Sequence, residues 1–166
     1  MMERVVDLAQ YIFDRYKSIS GGAAPDEMKL HKLLYFTQRE ALAITDNPLF
    51  PETFYGWKYG PVCREIRLCY TPDGMADDNI RPVSHESAYI ANNIVEQYGG
   101  YESWKLSELS HKEISWRNAR KGLEPGQNGN KPLSLEDIRK DAEKVRPYDS
   151  LYDMYYDEFE DAEETL

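Results

Sequence analysis

Residues 25–46 read Pro25-Asp26-Glu27-Met28-Lys29-Leu30-His31-Lys32-Leu33-Leu34-Tyr35-Phe36-Thr37-Gln38-Arg39-Glu40-Ala41-Leu42-Ala43-Ile44-Thr45-Asp46. Leu30, Leu33, Leu34, Thr37, Ala41 and Ile44 recur at the three-to-four spacing that places them on one face of an α-helix. Pro25 suits a first helical turn, Asp26 and Glu27 suit its positive dipole end, and Asp46-Asn47-Pro48 breaks it. This long helix sets the expectation for the whole chain, which is mainly α.

Outward from it, Val5, Leu8, Ala9, Ile12, Phe13 and Tyr16 predict a preceding helix over 3–17, closed by Ser20-Gly21-Gly22. Downstream, residues 53–59 are aromatic and β-branched and predict a short strand or extended crossing that stops at Gly60-Pro61. Pro61 is then placed to open a helix to about Tyr70, burying Val62, Ile66 and Cys69, and 71–83 reads as a loop. Ser84 caps a helix with Ala88, Ala91, Ile94, Val95 and Tyr98 inside and Gly99-Gly100 as its stop. A short helix over 103–109 follows. Residues 121–132, rich in Gly, Asn and Pro, predict a flexible surface loop. Ser134 caps a last helix that buries Leu135, Ile138, Ala142 and Val145, with Pro147 at its end. The expected architecture is one compact helical domain, 1–146, with a short extended or β segment near 53–59. An acidic, aromatic C-terminal segment, 147–166, forms a helix or tail.

Charge separates these two parts. The 166 residues carry 30 acidic and 20 basic groups, a net charge of −10 and a pI near 4.8. Eight of the acids and none of the bases fall in 147–166, which leaves the body nearly neutral. Such a body lacks the basic excess of a nucleic-acid binder, so no direct nucleic-acid contact is expected. No apolar run approaches a membrane span, the N-terminus lacks a signal-peptide pattern, and two cysteines cannot build a disulfide framework. The expectation is a cytoplasmic protein without a membrane partner.

Catalytic chemistry finds no motif. There is no Gly-x-Ser-x-Gly elbow, no phosphate-cradling glycine loop and no Cys-x-x-Cys, so neither catalytic residues nor metal nor cofactor are expected. His31 reads as a solvated or core-edge histidine. His111, flanked by Glu113 and Trp116, reads as a structural histidine or, second, as a general base oriented by a carboxylate. Trp57, Lys58 and Tyr59 form either a partner platform or part of the core. In the tail, Tyr148, Tyr152, Tyr155 and Phe159 recur at helical spacing among Asp153, Asp157 and their acidic neighbours. They either dock on the domain or lie on a basic groove of another protein.

Three patches, in order, carry a resemblance. Lys29-Leu30-His31-Lys32-Leu33-Leu34-Tyr35 is similar to Lys-Leu-x-Lys-Leu-Leu-Tyr. Pro48-Leu49-Phe50 with Gly56-Trp57-Lys58-Tyr59-Gly60-Pro61-Val62 is similar to Pro-Leu-Phe followed by Ala-Trp-x-Tyr-Gly-Pro-Val. Leu106-Ser107-Glu108-Leu109-Ser110-His111-Lys112-Glu113, then Trp116, is similar to Leu-Ser-x-Leu-Thr-His-x-Glu-x-Pro-Trp. Together they resemble the Panacea-domain family of phage-associated, GepA-like antitoxins; Gly56, Ser110 and Ser115 depart from its pattern. The resemblance implies a largely helical antitoxin of a two-gene module that neutralises a protein toxin by direct contact. An adaptor that delivers the toxin to a cellular protease is the alternative. It implies no catalytic residue or cofactor, and it gives Trp57, Lys58, Tyr59, His111 and Trp116 the role of holding the scaffold or shaping a common surface. The acidic segment lies outside the pattern; with it, the expected toxin is basic.

Overall fold

A computed structural model describes residues 2–146. Its organising element is α2, Glu27–Thr45, which starts where the Asp26 carboxylate accepts the Lys29 backbone N–H at 2.7 Å and ends at Asp46 in the left-handed region (φ 62°). Pro25 lies just outside this helix instead of in its first turn. Every residue from Lys29 to Leu42 is buried, because α1 (Val5–Ile19), α4 (His85–Tyr98), α5 (Ser103–Ser110), α7 (Leu135–Glu143) and a β-hairpin surround α2. The one-faced helix expected from the sequence is thus corrected to a central helix wrapped on all sides. Ile44, assigned to the buried stripe, is exposed.

The chain is mainly α among the described residues, with seven helices and two small two-stranded sheets. Tyr35, Phe36, Phe50 and Phe54 are fully buried; Phe36 stacks on Tyr98, and Tyr35 meets Phe54 edge-on. Leu8, Ile12 and Phe13 of α1, and Ile90, Ala91, Ile94 and Val95 of α4, complete the core. Ser84 and Ser134 cap α4 and α7 as their positions in the sequence predict. Leu135 is exposed and Val145 half-buried, since α7 turns Ile138, Asp141 and Ala142 towards α2 instead.

The hairpin departs most from expectation. β1 (Phe54–Trp57) pairs antiparallel with β2 (Gly60–Cys63) in the register Trp57↔Gly60 and Phe54↔Cys63, with Lys58-Tyr59 as its turn. Pro61 therefore lies in a strand, where it pairs with Gly56, and the helix expected to open at it, α3 (Arg64–Cys69), starts three residues later. Gly60 closes the turn at φ 120°, a conformation that favours glycine. A second, shorter hairpin, β3 (Tyr70–Thr71) with β4 (Gly74–Met75), occupies the start of the 71–83 stretch.

The glycine-rich 121–132 stretch is also tied down. The buried Arg120 guanidinium donates to the carbonyls of Glu124, Pro125 and Gln127. Beyond it, Lys131 O accepts from Gly56 N and Leu133 N donates to Phe54 O, both at 2.9 Å, so the chain runs along the free side of β1. A short helix that the sequence reading missed, α6 (Ile114–Ala119), packs on β1 and α7. Pro147 and the acidic segment lie outside the described residues.

Candidate functional site

The first two of the three sequence patches meet at one groove, and the third supports it. α2 supplies Glu27, Met28, His31 and Lys32; the hairpin supplies Trp57, Lys58, Tyr59 and Val62; α3 adds Arg67, and Asn128–Asn130 close one end. The cavity is about 600 Å³, open to solvent. It is the size of a site that holds a side chain or a short segment.

Side chains hold the hairpin at successive backbone groups. Arg120 Nη1 donates to Gly56 O at 3.0 Å, and Trp116 Nε1 donates to Trp57 O at 2.8 Å. Lys32 Nζ reaches Pro61 O at 3.3 Å, and the Cys63 N–H donates to His31 Nδ1 at 3.2 Å. That last bond fixes the imidazole tautomer: with Nδ1 accepting, Nε2 carries the proton and donates to Glu27 at 3.1 Å. Burial lowers the His31 pKa, so the ring stays neutral. The hydrogen bond from His31, with two more from Arg67 at 2.8 and 2.9 Å, lowers that of Glu27.

Lys32 is the unusual group. It is 1 % exposed, burial pushes its pKa down to about 7, and among the described residues its amine makes a single hydrogen bond. Gly60 leaves room for it, since a Cβ there would overlap Lys32 Cε and Ser110 Oγ.

Trp57 and Lys58 are half-buried and Tyr59 is 56 % exposed, so the turn presents rings while Phe54 and Gly56 face inward. The strand alternates faces, so one side of the aromatic stretch is core and the other meets solvent. Trp57 Nε1 donates to Asn130, and Lys58 and Arg67 lie over the Tyr59 and Trp57 rings.

His111 and Trp116 support this surface from behind. Their rings stack at 4.1 Å with an 8° tilt, and Trp116 is only 9 % exposed. Trp116 therefore bears on the groove through the Trp57 carbonyl, with little ring surface of its own to offer. Burial, with the charges of Lys32 and Arg120, lowers the His111 pKa, and among the described residues its Nε2 has no hydrogen-bond partner.

The acid–base reading of His111 with Glu113 is not met by the geometry. Glu113 gives its carboxylate to Arg39 and, at 3.3 Å, to the Tyr35 hydroxyl. Tyr35 Oη also lies 2.9 Å from Ser115 Oγ and 3.0 Å from Asp141, and Asp141 accepts the backbone N–H groups of Ile114 and Ser115. Burial raises the Glu113 pKa despite Arg39. This cluster joins α2, α6 and α7, and it is structural. Ser115, where the resembling pattern has Pro, uses both its N–H and its hydroxyl here.

Lys32, Asn128 and Asn130 are groove residues that the sequence reading did not single out. Lys32 follows His31 inside a helical stripe, and nothing in the spacing marks it as buried. Asn128 and Asn130 sit in a stretch read as a free loop. Tyr148, Tyr152, Asp153, Tyr155, Asp157 and Phe159 lie outside the described residues. Among the described residues no group of three or more His, Cys, Asp or Glu side chains could hold a metal ion, and no helix is long and apolar enough to cross a membrane.

A family model described as "Antitoxin SocA-like, Panacea domain" matches residues 30–117, just over half of the chain. Those bounds enclose most of the first patch, from Leu30, and the whole of the other two. No curated protein and no solved structure matches the chain.

Proposed function

Because the chain belongs to the SocA-like antitoxin family of Panacea domains, we propose that it neutralises a cognate protein toxin by direct contact, and that the groove with its Trp57-Lys58-Tyr59 turn carries that contact. The observation behind this reading is the meeting of the first two patches at one solvent-open, ring-lined surface that the third pins to the core. A pre-formed surface loses little entropy on binding, and aromatic rings at a rigid turn are the residues that anchor interfaces. His111 and Trp116 set the height and tilt of the turn. The acid-rich segment 147–166, with its eight acids, adds attraction for a basic toxin surface and speeds encounter.

The test is co-expression of the tagged full chain with the protein encoded beside it, reading both cell growth and the co-purified complex. Trp57→Ala with Tyr59→Ala abolishes protection and the complex while the melting temperature holds. Removing 147–166 weakens the complex, more so at low salt than at high salt. Full protection by both variants overturns the proposed surface. Protection that disappears in a protease-deficient host, with a shortened toxin lifetime in the normal one, replaces neutralisation by proteolytic delivery.

A further inference from the structure

We propose that the groove is a receptor for an acidic side chain presented between apolar residues on a segment of the partner protein, with Lys32 as its counter-charge. The inference rests on the contact surface proposed above and names what that surface reads.

The argument starts from the amine. A lysine side chain has three N–H donors, and Lys32 spends one of them, at 3.3 Å, on Pro61 O. It is 1 % exposed, yet it lines the groove instead of sitting in sealed core. A buried ammonium with so few acceptors is costly unless an anion completes its shell. The carboxylate that lines the same groove, Glu27, is already committed to His31 and Arg67. Among the described residues, the groove side chains left without an ion pair are cationic: Lys32 at the floor and Lys58 at the rim. An anion entering here meets positive charge at both depths.

The walls set the rest of the ligand. Met28, Val62, Trp57 and Tyr59 give the groove a mainly apolar lining. A free inorganic anion would leave those faces wet. An acidic residue flanked by Leu or Phe covers them and lowers its carboxylate to Nζ. Because the groove is open along its side, the segment lies across it and no chain end is needed.

Proton linkage supports the same reading. Burial holds Lys32 near pH 7, so an arriving carboxylate draws a proton onto the amine. The groups around it do not mask this. Asp26, which caps α2, and Glu27 on α2 pull the amine towards its charged form; His31 on α2 and His111 at the end of α5 are both lowered; Arg67 on α3 and Lys58 and Tyr59 in the turn complete the set.

The experiment uses the full chain and two capped tripeptides, acetyl-Leu-Glu-Phe-amide and its Gln counterpart. The indole N–H resonance of Trp57 is followed by NMR at millimolar peptide. The Glu peptide shifts that signal and binds about tenfold tighter than the Gln peptide, and its affinity falls between pH 6 and pH 9. Lys32→Met, with a folded spectrum, abolishes both the preference and the pH dependence. Equal shifts from the two peptides, no shift from either, or an unchanged preference in Lys32→Met overturns the proposal. Failure to recover a toxin complex bears on the contact surface instead, and the co-expression test reads that independently.

Discussion

α2 buries polar side chains at both ends, and the two ends treat them differently. Towards the C-terminus, Arg39 meets Glu113, the Tyr35 hydroxyl has Glu113, Ser115 and Asp141 within reach, and Asp141 also takes two backbone N–H groups. Towards the N-terminus, Lys32 has one long hydrogen bond among the described residues and faces a groove. Charges answered by protein partners lock elements together, whereas a charge left partly unanswered beside solvent is a place for something else to bind. The polar core at Tyr35 is cement; the one at Lys32 is an opening.

The largest test of that contrast removes Glu113. Glu113→Ala strands Arg39 in the interior and costs about 3–5 kcal/mol of stability in denaturant titration. A loss under 1 kcal/mol would mean the cluster is not cement. Gly60→Ala is next. The left-handed backbone and the overlap with Lys32 and Ser110 predict a loss of ~1–3 kcal/mol and a displaced turn, seen as changed Trp57 fluorescence.

Lys32→Met should behave in the opposite sense. The amine's pKa is lower folded than unfolded, so the unfolded chain binds more protons between about 7 and the ordinary lysine value of 10.5. Its contribution to stability is therefore smallest below pH 7 and rises as pH climbs through that window. Lys32→Met stabilises the protein at pH 7 by ~1–3 kcal/mol and flattens the rise above it. Loss of stability would place Lys32 in the cement. Tyr59→Ala is expected to change stability least, within about 0.5 kcal/mol, because its ring is mostly outside. Its effect should appear in toxin affinity.

Much of the helical plan could be read from the chain because capping and periodicity are local. Ser84 and Ser134 accept the N–H groups their positions predict, and the stripes of α1 and α4 face the core. The hairpin was half legible: Phe54–Trp57 has strand chemistry, but Pro61 looked like a helix opener. Pro61 sits in β2 without cost because its partner Gly56 turns its N–H to Lys131 O and its C=O to Arg120, away from β2, and Arg120 lies 64 positions from Gly56 in the sequence. Likewise, the 121–132 stretch reads as free because the side of β1 that takes up Lys131 and Leu133 is distant in sequence, and only burial against Gly56 O turns the adjacent Arg120 guanidinium onto the loop carbonyls.

By itself, the sequence determined the helical class, the Ser84 and Ser134 caps, the split between a nearly neutral body and an acidic end, and the order of the family's motifs. Those depend on residues a few positions apart or on simple counts. Only the tertiary structure decided that α2 is enclosed on every side, that Glu113 faces Arg39 instead of His111, and that Lys32 lies beneath an aromatic turn. Burial and pairing are set by which elements meet, and the same Lys-Leu-His-Lys stripe would read identically on a solvated helix.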